Sequence, residues 1–92
     1  MVLRFEWDGR KAQSNKRKHG ITFEEASTIF GDPLSITIHD PAHSIGKDRF
    51  ITIGRSIDDK LIVVVHIDRD DIVRIISARK ATRNEKSQYQ LR

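Results

Sequence analysis

Arg79 and Lys80 close a run of strand-type sequence, Ile72 to Lys80, at the point where a sheet rim would meet a loop. A guanidinium placed there can hold a phosphate through paired hydrogen bonds, although solvated rim charges explain the same residues. On strict alternation Val73, Ile75, Ser77 and Arg79 share one face, while Ile72, Arg74, Ile76, Ala78 and Lys80 share the other. Arg74, flanked by apolar residues, is then either a snorkelling charge or part of a nucleic-acid surface. His66 lies inside the apolar run Leu61 to Ile67. On an open face beside arginines its titration range suits proton transfer near neutral pH; otherwise it is a satisfied core residue. Lys18 and His19 precede Gly20, where a helix dipole favours cations and a phosphate would fit equally well. Trp7 and Tyr89 can each stack on a base, worth about 1–3 kcal/mol, or anchor a core. His39, Asp40 and His43 are close in sequence, but no further spacing supports a metal site. There is no Gly-rich phosphate loop, nucleophile elbow or zinc-ligand spacing, so neither metal nor cofactor is expected.

The chain that must position these groups is 92 residues long, enough for one domain over 1–92 and too short for a second core. Hydrophobic residues make up 37% and charged residues 33%, which predicts a single small core under a charged surface. Seventeen Lys and Arg against 13 Asp and Glu give a net charge of +4, raising the expectation of a polyanionic partner such as RNA or DNA. The absence of cysteine excludes disulfides and thiolate metal sites. The opening residues lack the apolar core of a signal peptide, and no run approaches a membrane span. A cytoplasmic protein with no membrane partner is expected.

Residue order predicts an α+β fold. Leu3 to Trp7 is a short opening strand, and Asp8 caps a basic helix over Arg10 to His19 that ends at Gly20. Thr22 and Glu25 form a capping box for a second helix burying Phe23, Ala26, Ile29 and Phe30, stopped by Gly31-Asp32-Pro33. Leu34, Ile36 and Ile38 alternate with polar residues as a strand, and Asp40 to Lys47 is a polar loop. Strands follow over Phe50 to Ser56, Leu61 to Ile67 and Ile72 to Arg79, joined by short turns that force antiparallel neighbours. Thr82 and Glu85 form a capping box for a short C-terminal helix carrying Tyr89. The expected architecture is an antiparallel sheet of about four strands. Two N-terminal helices cover one face, and the other is left for a partner or substrate.

Several strings recur in order along nearly the whole chain: Phe5-Glu6-Trp7-Asp8, Lys18-His19-Gly20, Phe23-Glu24-Glu25-Ala26, Phe30 with Asp32-Pro33, Arg49-Phe50 with Ile53-Gly54, and Arg74 through Ala81. With Glu85 and Tyr89, this ordered set closely resembles the BrnT family of toxins. Gly9 departs from it, standing where the family often has proline. The resemblance implies a RelE-like fold and a ribonuclease toxin of a type II toxin–antitoxin pair that halts translation. It also implies neutralisation by a BrnA-type antitoxin whose ribbon-helix-helix region binds DNA, so that DNA is met only through the complex.

For such an activity a metal-independent endoribonuclease can use the RNA 2′-hydroxyl as nucleophile. It needs proton-transfer groups, each worth about 10²–10⁴-fold, and cations on the phosphate. The expected assignment puts Arg79 on the phosphate with Arg49 or Lys80 assisting, His66 in proton transfer, and Tyr89 stacking or lending a proton. Lys80, Arg74, Lys18 and His19 would bind RNA. Two other function classes fit the same basic face: a non-catalytic nucleic-acid-binding module, and a toxin of this fold acting on a protein such as a topoisomerase.

Overall fold

A computed structural model of the chain describes residues 3–41 and 48–90; His43 and most of the expected polar loop lie outside them. Strand β1 is Arg4–Glu6. Asp8 then accepts from the amides of Arg10 and Lys11 at 2.8 and 3.1 Å and caps helix α1, Gly9–His19. Gly20 ends α1 at φ 73°, a left-handed position that costs a glycine little. Thr22 caps α2, Phe23–Ser27, through the amide of Glu25. The single second helix expected from sequence is divided: α2 tightens into a 3₁₀ turn over Thr28–Gly31. Ser27 and Thr28 donate back to the carbonyls of Glu24 and Glu25 at 2.7 and 2.6 Å, local bonds that compete with helical continuation.

The strands are β2 (Ile36–His39), β3 (Arg49–Arg55), β4 (Leu61–Arg69) and β5 (Ile72–Lys80), followed by helix α3 (Arg83–Gln90). They form one five-stranded sheet in the order β1-β5-β4-β3-β2. The antiparallel meander β2 to β5 matches the expectation, but the sheet of about four antiparallel strands is corrected to a mixed sheet of five. β1 pairs parallel to β5, Phe5 opposite Val73 and Glu6 opposite Arg74. Short links dictate direction only between consecutive strands, and β1 finds its partner near the far end of the chain.

The expected alternation along β5 also fails, at one place. The register passes from Val65 opposite Ser77 to His66 opposite Ile75, leaving Ile76 as the extra residue of a β-bulge. A bulge reverses which parity points to which face beyond it. Val73 and Ile75 therefore share the helix-covered face with Ala78, not with Ser77 and Arg79. Arg74, Ser77 and Arg79 share the opposite face.

The main core packs Ile21, Phe23, Ala26 and Ile29 against Ile62, Val64, Val73, Ile75 and Ala78. Gly54 permits this closeness, because a Cβ there would stand 3.0 Å from Ile29 Cβ and 3.2 Å from its carbonyl oxygen. Asn15 fixes α1 to the sheet. Its amide nitrogen donates to the carbonyls of Ile21 and Ala78, at 3.0 and 2.8 Å, and its oxygen accepts from the Ala78 amide at 3.0 Å. On the other face α3 covers a second cluster of Ile53, Val63, Ala81 and Tyr89. Among the described residues no helix is long and apolar enough to cross a membrane.

Of the two readings of His66, the structure has the satisfied core residue, and the open-face placement that proton transfer required is not found. His66 is 1% exposed on the helix side, edge-on to Phe30 and stacked with Phe50 at 5.9 Å. Its Nε2 is 2.7 Å from Thr52 Oγ1, which meets Thr37 Oγ1 at 2.8 Å, and its Nδ1 is 2.6 Å from Asp68 Oδ1. Burial lowers its pKa against the opposing pull of Asp68. The unfolded chain therefore takes up a proton at a higher pH than the fold does. Stability from neutral His66 is complete above pH 6.5 and drains away as the pH falls through the lower folded value. In urea titrations between pH 8 and 5, wild type should lose stability below pH 6.5 relative to His66→Gln, which has no proton to take up. Asn15→Ala should cost about 3 kcal/mol in the same assay, since it strands buried backbone groups of Ala78 and Ile21.

Candidate functional site

β5 carries most of the candidate residues, and α1 brings others to it. α1 starts beside Arg74, whose charge acts on the Asp8 carboxylate, and by Asn15 it has reached Ala78. The helix thus climbs along β5 in the strand's own direction. His19 lies one turn beyond Asn15 on the same side of the helix, and Lys80 lies two residues beyond Ala78 on the same side of the strand. The C-terminal turn of α1, with Lys18 and His19, therefore comes to the rim where β5 ends in Arg79 and Lys80. Lys18 and Lys80 are exposed and His19 is half-buried.

Arg79 projects to the α3 side of this rim. Its guanidinium grips Glu85 by two parallel bonds, Nη1 to Oε1 at 2.7 Å and Nη2 to Oε2 at 2.8 Å. The predicted capping box is present: the Thr82 amide donates to Glu85 Oε1, and the Glu85 amide donates to Thr82 Oγ1. Arg79 above all holds the Glu85 carboxyl down at about 2. The Arg79 side chain remains 41% exposed, so it can still be approached from solvent.

Arg49 and Arg74 belong to the opposite end of the sheet. Arg49 and Arg74 both lie opposite Ile67, which puts their Cα atoms about 10 Å apart. Each has a carboxylate: Arg49 Nε is 3.3 Å from Asp40 Oδ2, without an aligned hydrogen bond, and Arg74 Nη1 donates to Glu6 at 2.9 Å. A cleft of about 720 Å³ beside them is lined by Glu6, Asp48, Asp68 and Asp70 as well as Arg69 and Arg74. So many carboxylates make it a poor seat for a phosphate.

The eight residues expected to form one site thus divide. At the end of β5, Lys80 with Lys18 and His19 lies on the α1 side and Arg79 on the α3 side; Arg49 and Arg74 stand at the other end; His66 is enclosed, with both ring nitrogens engaged. Tyr89 is 8% exposed and donates from its hydroxyl to Asp32 Oδ2 at 2.6 Å, with the Arg55 guanidinium 5.6 Å from its ring centre. The Asp32 bond raises its pKa, keeping the phenol protonated and tied down. Asp32 also accepts from the amides of Leu34 and Arg55, so Tyr89 locks α3 to the β2 and β3 side of the sheet. Among the described residues no cluster of three His, Cys, Asp or Glu could hold a metal ion. His39 packs on Phe50 while Asp40 meets Arg49, on opposite faces of the chain.

Sequence reasoning missed Asn15 and Asp32, because a polar side chain that satisfies distant backbone carries no local signature. It recognised α1 as a basic helix but assigned only Lys18 and His19 of it to the site. The whole helix holds Arg10, Lys11, Lys16, Arg17 and Lys18 with no carboxylate, and that signal was present in the residues themselves.

With this geometry in view, the comparisons are informative. A solved structure of the ribonuclease toxin BrnT from Brucella abortus superposes with a TM-score of 0.69 at 24% identity, covering 89% of this chain and 100% of that one. That likeness establishes the fold. No curated sequence matches the chain. A family model described as the ribonuclease toxin BrnT of type II toxin–antitoxin systems matches residues 7–85, from Trp7 before α1 to Glu85 on α3. That span takes in the whole β5 rim, and the chain belongs to the BrnT family of ribonuclease toxins.

Proposed function

We propose that this chain is a cytoplasmic, metal-independent endoribonuclease that halts translation, and that a BrnA-type ribbon-helix-helix antitoxin neutralises it. The observation that carries this reading is the end of β5, which presents Lys80 toward the C-terminal turn of α1, with Lys18 and His19, and Arg79 toward α3. It supplies cations and an imidazole around one strand end. In the reaction the RNA 2′-oxygen bonds to phosphorus as the bond to the 5′-oxygen breaks. One proton leaves the 2′-hydroxyl and one reaches the departing oxygen, giving a 2′,3′-cyclic phosphate and a 5′-hydroxyl. Arg79 and Lys80 stabilise the charge on the phosphorane, Lys18 holds a neighbouring phosphate, and His19 carries the proton. Arg79 must share or exchange its Glu85 partner to do this, and its bidentate fork suits either oxyanion.

The open sheet face favours a protein contact over RNA. Ile38, 53% exposed, continues across the sheet through Ile51 and Val65, an apolar row beside Arg49 and Arg74, which are already matched by carboxylates. Phosphate has little to gain there, whereas an antitoxin has apolar surface to cover. DNA then enters only through the antitoxin in the complex.

Purified protein incubated with total RNA in EDTA should leave 2′,3′-cyclic phosphate ends. Intact RNA held in a salt-sensitive complex would instead favour a binding module, and DNA damage on expression would favour a topoisomerase-directed toxin. The double variant Arg79→Ala with Glu85→Ala leaves no orphaned charge at the rim. It should stay folded and lose cleavage by about 10²-fold or more; undiminished cleavage would remove Arg79 from the site. Because Glu85 is held at about 2 rather than 4.5, wild type should be more stable than this variant above pH 4.5. That advantage should vanish as the pH falls toward 2, read by thermal melts across the acid range.

A further inference from the structure

We propose that the outward face of α1 is a second, sequence-independent phosphate-binding surface, which holds the RNA backbone beyond the cleavage rim. The proposal deepens the ribonuclease reading and rests on it for the identity of the polyanion. α1 spans 11 residues with five cations, Arg10, Lys11, Lys16, Arg17 and Lys18, and no carboxylate. All five are exposed. Of the six arginines on the sheet, five differ: Arg4, Arg49, Arg55, Arg74 and Arg79 each have a carboxylate within 3.5 Å, and Arg69 alone has no ion pair among the described residues. Among the described residues no ion pair engages a cation of α1.

Helix stability does not account for this composition. The dipole rewards Lys16, Arg17 and Lys18 in the last turn, but Arg10 and Lys11 sit in the first turn, where cations are disfavoured and a single acid, the capping Asp8, stands against both. Their placement follows a pattern. Ala12, Asn15 and His19 mark the inward side, with Asn15 locked to Ala78. Arg10 and Arg17 then project directly away from the sheet, and Lys11 and Lys18 form a parallel row beside them. Each pair is seven residues apart, two helical turns or about 10.5 Å. The second row ends in Lys18, at the rim that holds Arg79 and Lys80. A strand gripped at the rim can therefore continue along α1, with cations to meet successive phosphates. Since backbone contacts carry no base information, this surface adds affinity for length and not for sequence.

The test uses the full chain with Arg10→Gln, Lys11→Gln and Arg17→Gln combined, leaving Lys18 and the rim intact. Binding is measured to a 20-nucleotide 2′-O-methyl RNA, which cannot be cleaved, from 50 to 300 mM salt. The triple variant should bind at least tenfold more weakly at low salt, with a log–log salt slope shallower by about 2, near 0.7 for each lost contact on a single strand. Cleavage of a dinucleotide should be unchanged, because it does not reach Arg10, Lys11 or Arg17, and thermal melting should not fall. An unchanged salt slope overturns the proposal, as does tighter binding of wild type to a poly-glutamate peptide than to the RNA. If wild type cleaves no RNA while the slope still drops, the nuclease reading fails and the phosphate surface stands.

Discussion

The extra residue in β5 decides which side chains this molecule can use and where. Without the bulge at Ile76, Ala78 would face α3 and Arg79 would face the α1 side, so the Asn15 clamp and the Arg79–Glu85 fork could not both exist. With it, the last three residues of one strand serve two layers. Ala78 presents its backbone to Asn15 and fixes α1 on one face. Arg79 receives Glu85 and fixes the start of α3 on the other. Lys80 is left at the end, between the two helices. The cationic rim is thus a consequence of two helices being anchored to adjacent residues.

Charge divides the surface in the same way. At the far end of the sheet arginines and carboxylates cancel pair by pair, around a cleft rich in aspartate. Along α1 no ion pair engages the cations among the described residues, and only the capping Asp8 stands near them. A net charge of +4 is modest, but its distribution gives a phosphate chain a directional path from helix to rim. His66 belongs to neither surface. Its bond to Thr52 cross-links β4 to β3 beside Phe30 and Phe50, its bond to Asp68 stays within β4, and this satisfied polar network costs the core little while the imidazole stays neutral.

Much of the fold was legible because local chemistry decided it. Asp8, Gly20, Thr22 and the Thr82–Glu85 box mark helix ends by bonds within a few residues, and the meander follows from short turns. The site was less legible. Alternation assigns faces only until a bulge intervenes, and nothing in Arg74-Ile75-Ile76-Ser77 announces one. That single register step moved Arg79 away from Val73 and Ile75 and onto the face of Arg74. His66 was ambiguous for a related reason: a histidine in an apolar strand faces core or solvent according to register, and its partners, Thr52 and the ring of Phe30, come from elsewhere in the chain. Lys18 and His19 were recognisable as cations at a helix end, but only Asn15 shows that this end meets Lys80. The family resemblance identified the class of activity without supplying that geometry.

A crystal structure with a non-cleavable 2′-deoxy oligonucleotide bound would test the central claim most directly. The account predicts a phosphate in hydrogen-bond contact with Arg79 and Lys80, His19 beside the sugar, and the adjoining strand directed along α1. A phosphate seated between Arg49 and Arg74, with the β5 rim empty, would contradict it.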